Sequence, residues 1–388
     1  MTTRGVITGV GAVSGFGRGA DRLWAALVEG QRAMRERPEL AGVASGPVAL
    51  VEELPLSAPS RAATMATWAA EEALADAGHP EAGARMGLAF GTTLGGIAGW
   101  LPLVRATMDS VPASLAAPAR WGQAGPPQAV AAAIGARGPL VVPSVACASG
   151  NVAIGAALDL VRRGRCDVVV AGGADALHDF VLAGFGALKA GDAAPCRPFD
   201  RRRRGLNLGE AAAFVVVESE AHARARGARI RAFVDGWGVA ADAVHMTGPD
   251  REGRGAARAM TAALADAGRA AGDVGYVSAH GTATPFNDLM EAKALALVLG
   301  ARAAATPLNS IKGALGHTLG AAAALEAIAC VRTLETGLVP PTAGCEELDP
   351  EIALDVVRRA ARQVAARVAL STASGFGGTN AAVVFAAA

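Results

Sequence analysis

The chain has 388 residues, a formal net charge of +1, 52% hydrophobic residues and only 18% charged ones. That balance is enough to bury a large core. It excludes wholesale disorder and gives no overall field to attract nucleic acid or an anionic membrane. No run reaches the ~20 unbroken apolar residues of a membrane span, and the glycine-broken N-terminus MTTRGVITGVGAVSGFG lacks the apolar core and cleavage site of a signal peptide.

In chain order, Val6–Val10 reads as a strand, and residues 62–77 carry apolar positions at helical spacing up to Gly78. Met86–Phe90 reads as a strand running into the GTTLGG loop at 91–96. Leu140–Ala146 reads as a strand followed by a helix over 150–163, with Ile154, Leu158 and Val161 on one face. Asp167–Ala171 and Phe214–Val217 read as buried strands. A charged segment at 219–229 then reads as helix and linker, after which the pattern starts again. RAFVDGWGVAADA at 231–243 has the look of GVITGVGAVSGFG at 5–17. A strand at 274–279 leads into HGTAT, a glycine-rich turn leads into a buried helix from 318, and Ala381–Phe385 closes the chain as a strand. The alternation argues for α/β with helices covering a buried sheet. The echo argues for two related halves, 1–229 and 230–388, sharing one core.

Three loops carry chemistry-bearing residues. In SVACASGN (144–151), Cys147 sits where a strand turns into a helix, and the helix N-terminus favours thiolate over thiol. Spacing alone leaves a small buried core residue as an even alternative; the small neighbours tip the balance towards a nucleophile with room for an incoming group. In SAHGTATPFND (278–288), His280 ends a strand, and in isolation it reads as a strand-end cap. Thr282 and Thr284 read as turn hydroxyls. In NSIKGALGHTLGAAAALEA (309–327), Lys312 and His317 flank glycines before an apolar helix that carries Glu326, whose charge calls for a partner; Lys312 is the natural one. The turn SGFGGTN (374–380) places glycines around Phe376, so backbone N–H groups can approach a ligand. Taken together, a cysteine, two histidines and a glycine turn at strand ends suit covalent acyl transfer with an oxyanion hole. The five cysteines are odd in number and form no CxxC pair. That disfavours a disulfide framework or a zinc site and fits reduced thiols in the cytosol.

In this order, and with CRPFD at 196–200 and LGEAAAFVVVE at 208–218, the chain resembles the elongating, Cys-His-His type of β-ketoacyl-[acyl carrier protein] synthase along essentially its whole length. The resemblance implies a thiolase-like fold, two pseudo-repeated halves in five α-β-α-β-α layers, dimerising through the first-half sheet. It implies that Cys147 takes an acyl chain from a carrier-protein thioester and that His280 and His317 promote decarboxylation of a malonyl thioester. Lys312 and Glu326 would order the histidines, and the N–H groups of Cys147 and Phe376 would form the oxyanion hole, with Phe376 also gating the acyl pocket. Thr282 and Thr284 would contact the phosphopantetheine arm. Partners would be an acyl carrier protein and a second ketosynthase-type chain, in a homodimer or a heterodimer. No metal or bound cofactor is implied, since substrates ride on the arm of a separate carrier protein.

The sequence departs from the family's usual wording at Ala283, which stands between the two threonines, at Gly209-Glu210-Ala211-Ala212, and at Arg204, where an acidic residue is common. The GLNLGEAA wording looks more like specialised-metabolite synthases, such as those of aryl polyene pathways, than housekeeping enzymes. The run Arg201–Arg204 is a candidate dock for an acidic carrier protein, against the alternative of a solvated surface run in which Arg197 and Asp200 pair. A thiolase would carry a second reactive cysteine in the turn 374–380, which has none. An initiating synthase would have asparagine where His317 stands, and a non-catalytic partner subunit would usually lack Cys147.

Overall fold

In the computed structural model, which describes residues 3–388 except 57, 59, 98–99, 110–121 and 123, strand β1 (Gly5–Ser14) is buried at every position. This is why it reads as a continuous apolar and small-residue run and not as an alternating one. The first half continues through α1 (Arg61–Asp76), β2 (Met86–Gly91), the short β3 (Leu140–Val141), α2 (Ser149–Arg162), β4 (Val168–Asp175), α3 (Asp179–Ala187) and β5 (Ala211–Ser219). Helix α4 (Glu220–Ala225) leads to β6 (Ala232–Ala241), α5 (Arg254–Asp266), β7 (Tyr276–Ser278), α6 (Pro285–Leu299), β8 (Pro307–Asn309) and α7 (Lys312–Leu315). The chain ends with α8 (Ala322–Thr336), β9 (Asp355–Val356), β10 (Val368–Gly375) and β11 (Thr379–Ala387).

These strands lie in the order β9-β8-β7-β10-β11-β6-β1-β5-β4-β2-β3. The pairs β2–β4 and β7–β10 are parallel, while β4–β5–β1 and β10–β11–β6 are antiparallel. The order is mirrored about the β1–β6 junction, where Gly5, Val6 and Ile7 face Val234, Phe233 and Ala232, so one motif occurs twice. Helices α2 and α8 supply Ile154, Leu158, Leu325 and Ile328 to a core that also takes strand residues of both halves. Outside it, Met65 and Ala69 of α1 pack on Val170 and Phe214, and Met260 of α5 and Leu295 of α6 pack on Val277 and Val384. The result is the expected sequence of five layers, and the loop ends around α2 and α8 meet at one place.

Two elements differ from the sequence reading. The strand expected over 140–146 pairs only at Leu140 and Val141. Pro143 has no N–H for a ladder, and Ala146 takes φ 52°. The last buried helix begins as a 3-10 turn at Leu319–Ala321 before α8. All five cysteines are free and buried. Among the described residues no helix is long and apolar enough to cross a membrane.

Candidate active site

The left-handed φ of Ala146 costs a non-glycine residue roughly 1–2 kcal/mol, and such strain is found where a backbone must present a group sharply. Here it presents Cys147 just before α2. Ser149 Oγ fixes the turn by donating to the Ala146 carbonyl at 2.6 Å and accepting from the Val145 N–H at 3.0 Å. The turn 374–380 closes over it. A Cβ on Gly375 would lie 2.8 Å from the Val145 carbonyl oxygen and 3.3 Å from the Cys147 nitrogen, so only glycine permits this approach. It brings the Phe376 N–H to the Cys147 sulfur.

Burial opposes the thiolate expected from the helix end. Burial pushes the Cys147 thiol up to about 11, against the opposing pull of Lys312 and of the Phe376 and Cys147 N–H groups. Desolvation outweighs the helix terminus because Cys147 is only 7% exposed. Alkylation of Cys147 by iodoacetamide, followed by peptide mass, should therefore rise about tenfold per pH unit from pH 7 to 10. A plateau below pH 9 would show a thiolate already stabilised at rest.

His280 ends β7's extension and is held by a buried carboxylate. Glu291 of α6 accepts the His280 N–H at 2.7 Å, the Gly281 N–H at 2.8 Å and the Thr372 hydroxyl at 2.7 Å. Asp288, one turn earlier on α6, accepts the N–H groups of Thr282, Ala283 and Phe199 at 3.0, 3.2 and 2.8 Å. Ala283 sits at φ 66°, so this departure from the family wording falls where glycine is the less strained choice. Thr282 and Thr284 share a hydroxyl contact of 2.8 Å.

His317 is placed by the 207–209 segment: its N–H donates to the Asn207 carbonyl at 2.7 Å, and its carbonyl accepts the Gly209 N–H at 3.0 Å. A Cβ on Gly209 would stand 2.2 Å from the Leu315 carbonyl oxygen, which is why glycine stands between Leu208 and Glu210.

One ring nitrogen of His280, one of His317 and the Cys147 sulfur lie within 4.8 Å of one another, and the two rings meet edge to face at 5.4 Å. The Leu319 N–H donates to His317 Nδ1 at 3.0 Å. Lys312 Nζ lies 3.3 Å from His280 Nδ1 and donates to the His280 carbonyl at 2.6 Å. Lys312 also pairs with Glu326. Burial, then Lys312, and at His280 also His317, push both imidazoles well below the usual histidine value. Two neutral rings that each accept at Nδ1 carry their proton on Nε2. The cluster has the spacing of a metal site, but it presents N–H donors where a metal needs lone pairs. It suits a developing oxyanion. Behind it, burial pushes Glu326 up to about 7 against the pull of Lys312.

Cys147, His280, His317, Thr282, Thr284 and Phe376 all line one cavity of about 440 Å³, and Lys312 and Glu326 lie behind it. Phe376 stands at its mouth, 38% exposed and stacked on Phe185 at 5.7 Å. Residues 3–223 match the family model described as "Beta-ketoacyl synthase, N-terminal domain", and residues 231–346 match the one described as "Beta-ketoacyl synthase, C-terminal domain". The chain belongs to the β-ketoacyl synthase family.

The synthase is 40% identical to nodulation protein E of Rhizobium sp. (strain N33), over 99% of both chains. It is 38% identical to the tetracenomycin polyketide synthase ketoacyl synthase alpha subunit of Streptomyces glaucescens, over 99% of this chain and 97% of that one. Among solved structures, a β-ketoacyl synthase from Burkholderia phymatum STM815 covers both chains fully at 34% identity and a TM-score of 0.91. The ishigamide ketosynthase/chain length factor does so at 32% and 0.92. The fold is therefore thiolase-like, and the protein is a condensing acyltransferase of polyketide or fatty acid elongation.

The arginine run of the synthase divides. Arg201 pairs with Glu347, Arg202 with Asp200 and Glu346, and buried Arg203 with Asp349 and Asp288. The expected Arg197–Asp200 pair does not form, because Asp200 takes Arg202 and the N–H groups of Glu346 and Glu347. Exposed Arg204 has no ion-pair partner among the described residues, and it lines the cavity mouth with Lys189. Sequence reading passed over Glu291, Asp288, Lys189 and Phe185. The only signal for the first two was two carboxylates three apart on one helix.

Proposed function

We propose that this synthase extends an acyl chain held on Cys147 by two carbons taken from a malonyl-carrier protein. Cys147 exchanges its thiol proton for the acyl group of a carrier thioester and releases the carrier thiol. Loss of carbon dioxide from the malonyl thioester leaves an electron pair on an enolate oxygen, which accepts the Nε2–H of His280 and of His317. The enolate carbon attacks the Cys147 acyl carbonyl. The resulting oxyanion faces the N–H groups of Cys147 and Phe376, and its collapse expels Cys147, which takes up a proton. Thr282 and Thr284 hold the pantetheine arm, Phe376 gates the acyl pocket, and Lys312 and Glu326 order the histidines. The observation that carries this reading is a pair of buried imidazoles whose Nδ1 atoms are taken by the Leu319 N–H and Lys312 Nζ, set beside a buried cysteine.

The test is to mix the purified protein with a panel of acyl-carrier proteins and malonyl-carrier protein and to read carrier masses. A 3-ketoacyl product two carbons longer supports the reading; unchanged malonyl-carrier protein with every primer refutes it.

The carrier protein docks, in this reading, on Lys189 and Arg204. Lys189 and Arg204 both line the cavity that holds Cys147. Lys189→Glu with Arg204→Glu should raise KM for carrier substrates about tenfold at low salt, with kcat kept, because rim charges act on encounter. Arg201→Glu, removing a cation already paired with Glu347, should leave KM within twofold. Equal effects would move the dock elsewhere.

The working unit is a cytoplasmic dimer of ketosynthase-type chains, and the halves divide at 229/230, between α4 and β6. One observation favours a second reading as one subunit of a heterodimer. Its neighbours include a ketosynthase in complex with its chain length factor, at 26% identity and a TM-score of 0.84, besides the alpha subunit above. A native mass of two identical chains with full condensing activity excludes it.

A further inference from the structure

Asp175 ends β4 with its carboxylate fully buried, and no cation pairs with it among the described residues. Four donors meet it. Oδ1 accepts the Thr92 hydroxyl at 2.7 Å and the Leu94 N–H at 2.9 Å; Oδ2 accepts the Thr93 N–H at 2.8 Å and the Gly320 N–H at 2.7 Å. Three of these come from the GTTLGG loop, which also touches the nucleophile turn, where the Thr92 N–H donates to the Pro143 carbonyl at 3.2 Å. The fourth comes from the 3-10 turn Leu319–Ala321, whose first N–H donates to His317 Nδ1. One carboxylate thus joins the segment beside Cys147 to the turn that sets the His317 proton. Its negative charge works against the thiolate of Cys147, so electrostatics gives no reason to keep it there.

We propose that Asp175 is a positioning residue for the decarboxylation step: it holds the 319–321 turn so that the Leu319 N–H keeps His317 Nε2–H pointed at the substrate oxygen. Geometry, not charge, is what the carboxylate supplies. Asparagine retains much of it, since its oxygen still serves Thr93 and Gly320 while its amide donates to Thr92 Oγ1, leaving the Leu94 N–H and the Thr92 hydroxyl proton to find other acceptors. Alanine removes all four acceptors.

The inference rests on the proposed histidine chemistry, and the experiment separates the two. Full-length wild type, Asp175→Ala and Asp175→Asn are compared for decarboxylation of malonyl-carrier protein, read by carrier mass, and for iodoacetamide alkylation of Cys147. Decarboxylation should fall at least about tenfold in Asp175→Ala and no more than about threefold in Asp175→Asn, with Cys147 alkylation within threefold of wild type in both. If Asparagine is as damaging as alanine, the role is charge and the proposal fails. If alkylation falls in step with decarboxylation, the residue is merely structural and it fails again. If wild type itself leaves malonyl-carrier protein intact, the functional reading falls first. Should Asp175→Ala not fold, Gly320→Ala tests the same joint with the carboxylate in place, because its Cβ would lie 2.7 Å from Asp175 Oδ2 and 2.8 Å from Thr92 Cα and the Thr93 nitrogen, forcing the 319–321 turn away from both. It should reproduce the selective loss, and normal decarboxylation in that variant overturns the proposal.

Discussion

Cys147→Ala should abolish chain extension while leaving malonyl decarboxylation in place. Extension needs a covalent acyl carrier at that position, and no other cysteine lines the cavity. The loss should be about 10⁴-fold or more, the scale of removing a nucleophile whose partners act only through it. Decarboxylation needs no sulfur: its charge develops on the malonyl thioester oxygen, where the donors are His280 and His317. Alanine also lifts the desolvation burden of a buried thiol and leaves a small gap, so folding should be unaffected. Carrier masses would then show acetyl-carrier protein accumulating with no 3-ketoacyl product. Extension persisting in Cys147→Ala would place the acyl group elsewhere. If neither reaction survives, the histidines do not act independently of the sulfur.

The residues that were legible in sequence share one property: their signal is local. Cys147 and His280 each follow a strand pattern and precede small residues, His317 lies among glycines before an apolar helix, and glycine punctuation marks the turns. The burial of β1 and β5 was readable for the same reason, as uninterrupted apolar runs. What was not legible depends on chain segments far apart in sequence. Arg201–Arg204 reads as a free cationic run until the 346–349 loop arrives with Glu346, Glu347 and Asp349 and leaves only Arg204 unpaired. Asp175 and Glu291 carry no local signal in the sequence; their role lies in N–H groups brought to them by other loops. The strand expected over 140–146 had the right side chains, but Pro143 and the left-handed Ala146 end its pairing. The thiol expected to be acidified is raised because burial is a tertiary quantity that a helix end cannot reveal.

The histidines make the second large prediction, and it separates two roles for an imidazole. As donors, each strengthens its bond as the enolate oxygen gains charge, so His280→Ala or His317→Ala should cost about 10²–10³ in decarboxylation, or roughly 2.7–4 kcal/mol. The double variant should lose less than the product of the two, because both donors address one oxygen. His317→Asn offers an amide N–H near the place of Nε2–H, so it should retain at least about tenfold more activity than His317→Ala. A histidine acting as base would make asparagine as inactive as alanine. The pH profile gives an independent check of sign. Both rings are pushed well below the ordinary histidine value by burial, so both are neutral, with Nε2–H in place, at pH 6 and still so at pH 8. Decarboxylation by wild type should accordingly be flat across that range. A base would need the same neutral ring, but with a lone pair on Nε2, and the Leu319 N–H and Lys312 Nζ occupy the Nδ1 positions that this tautomer would have to protonate. A rate that climbs through pH 6.5 in wild type and vanishes in His317→Asn would therefore contradict the hydrogen-bond arrangement itself, and not only the role assigned to one residue.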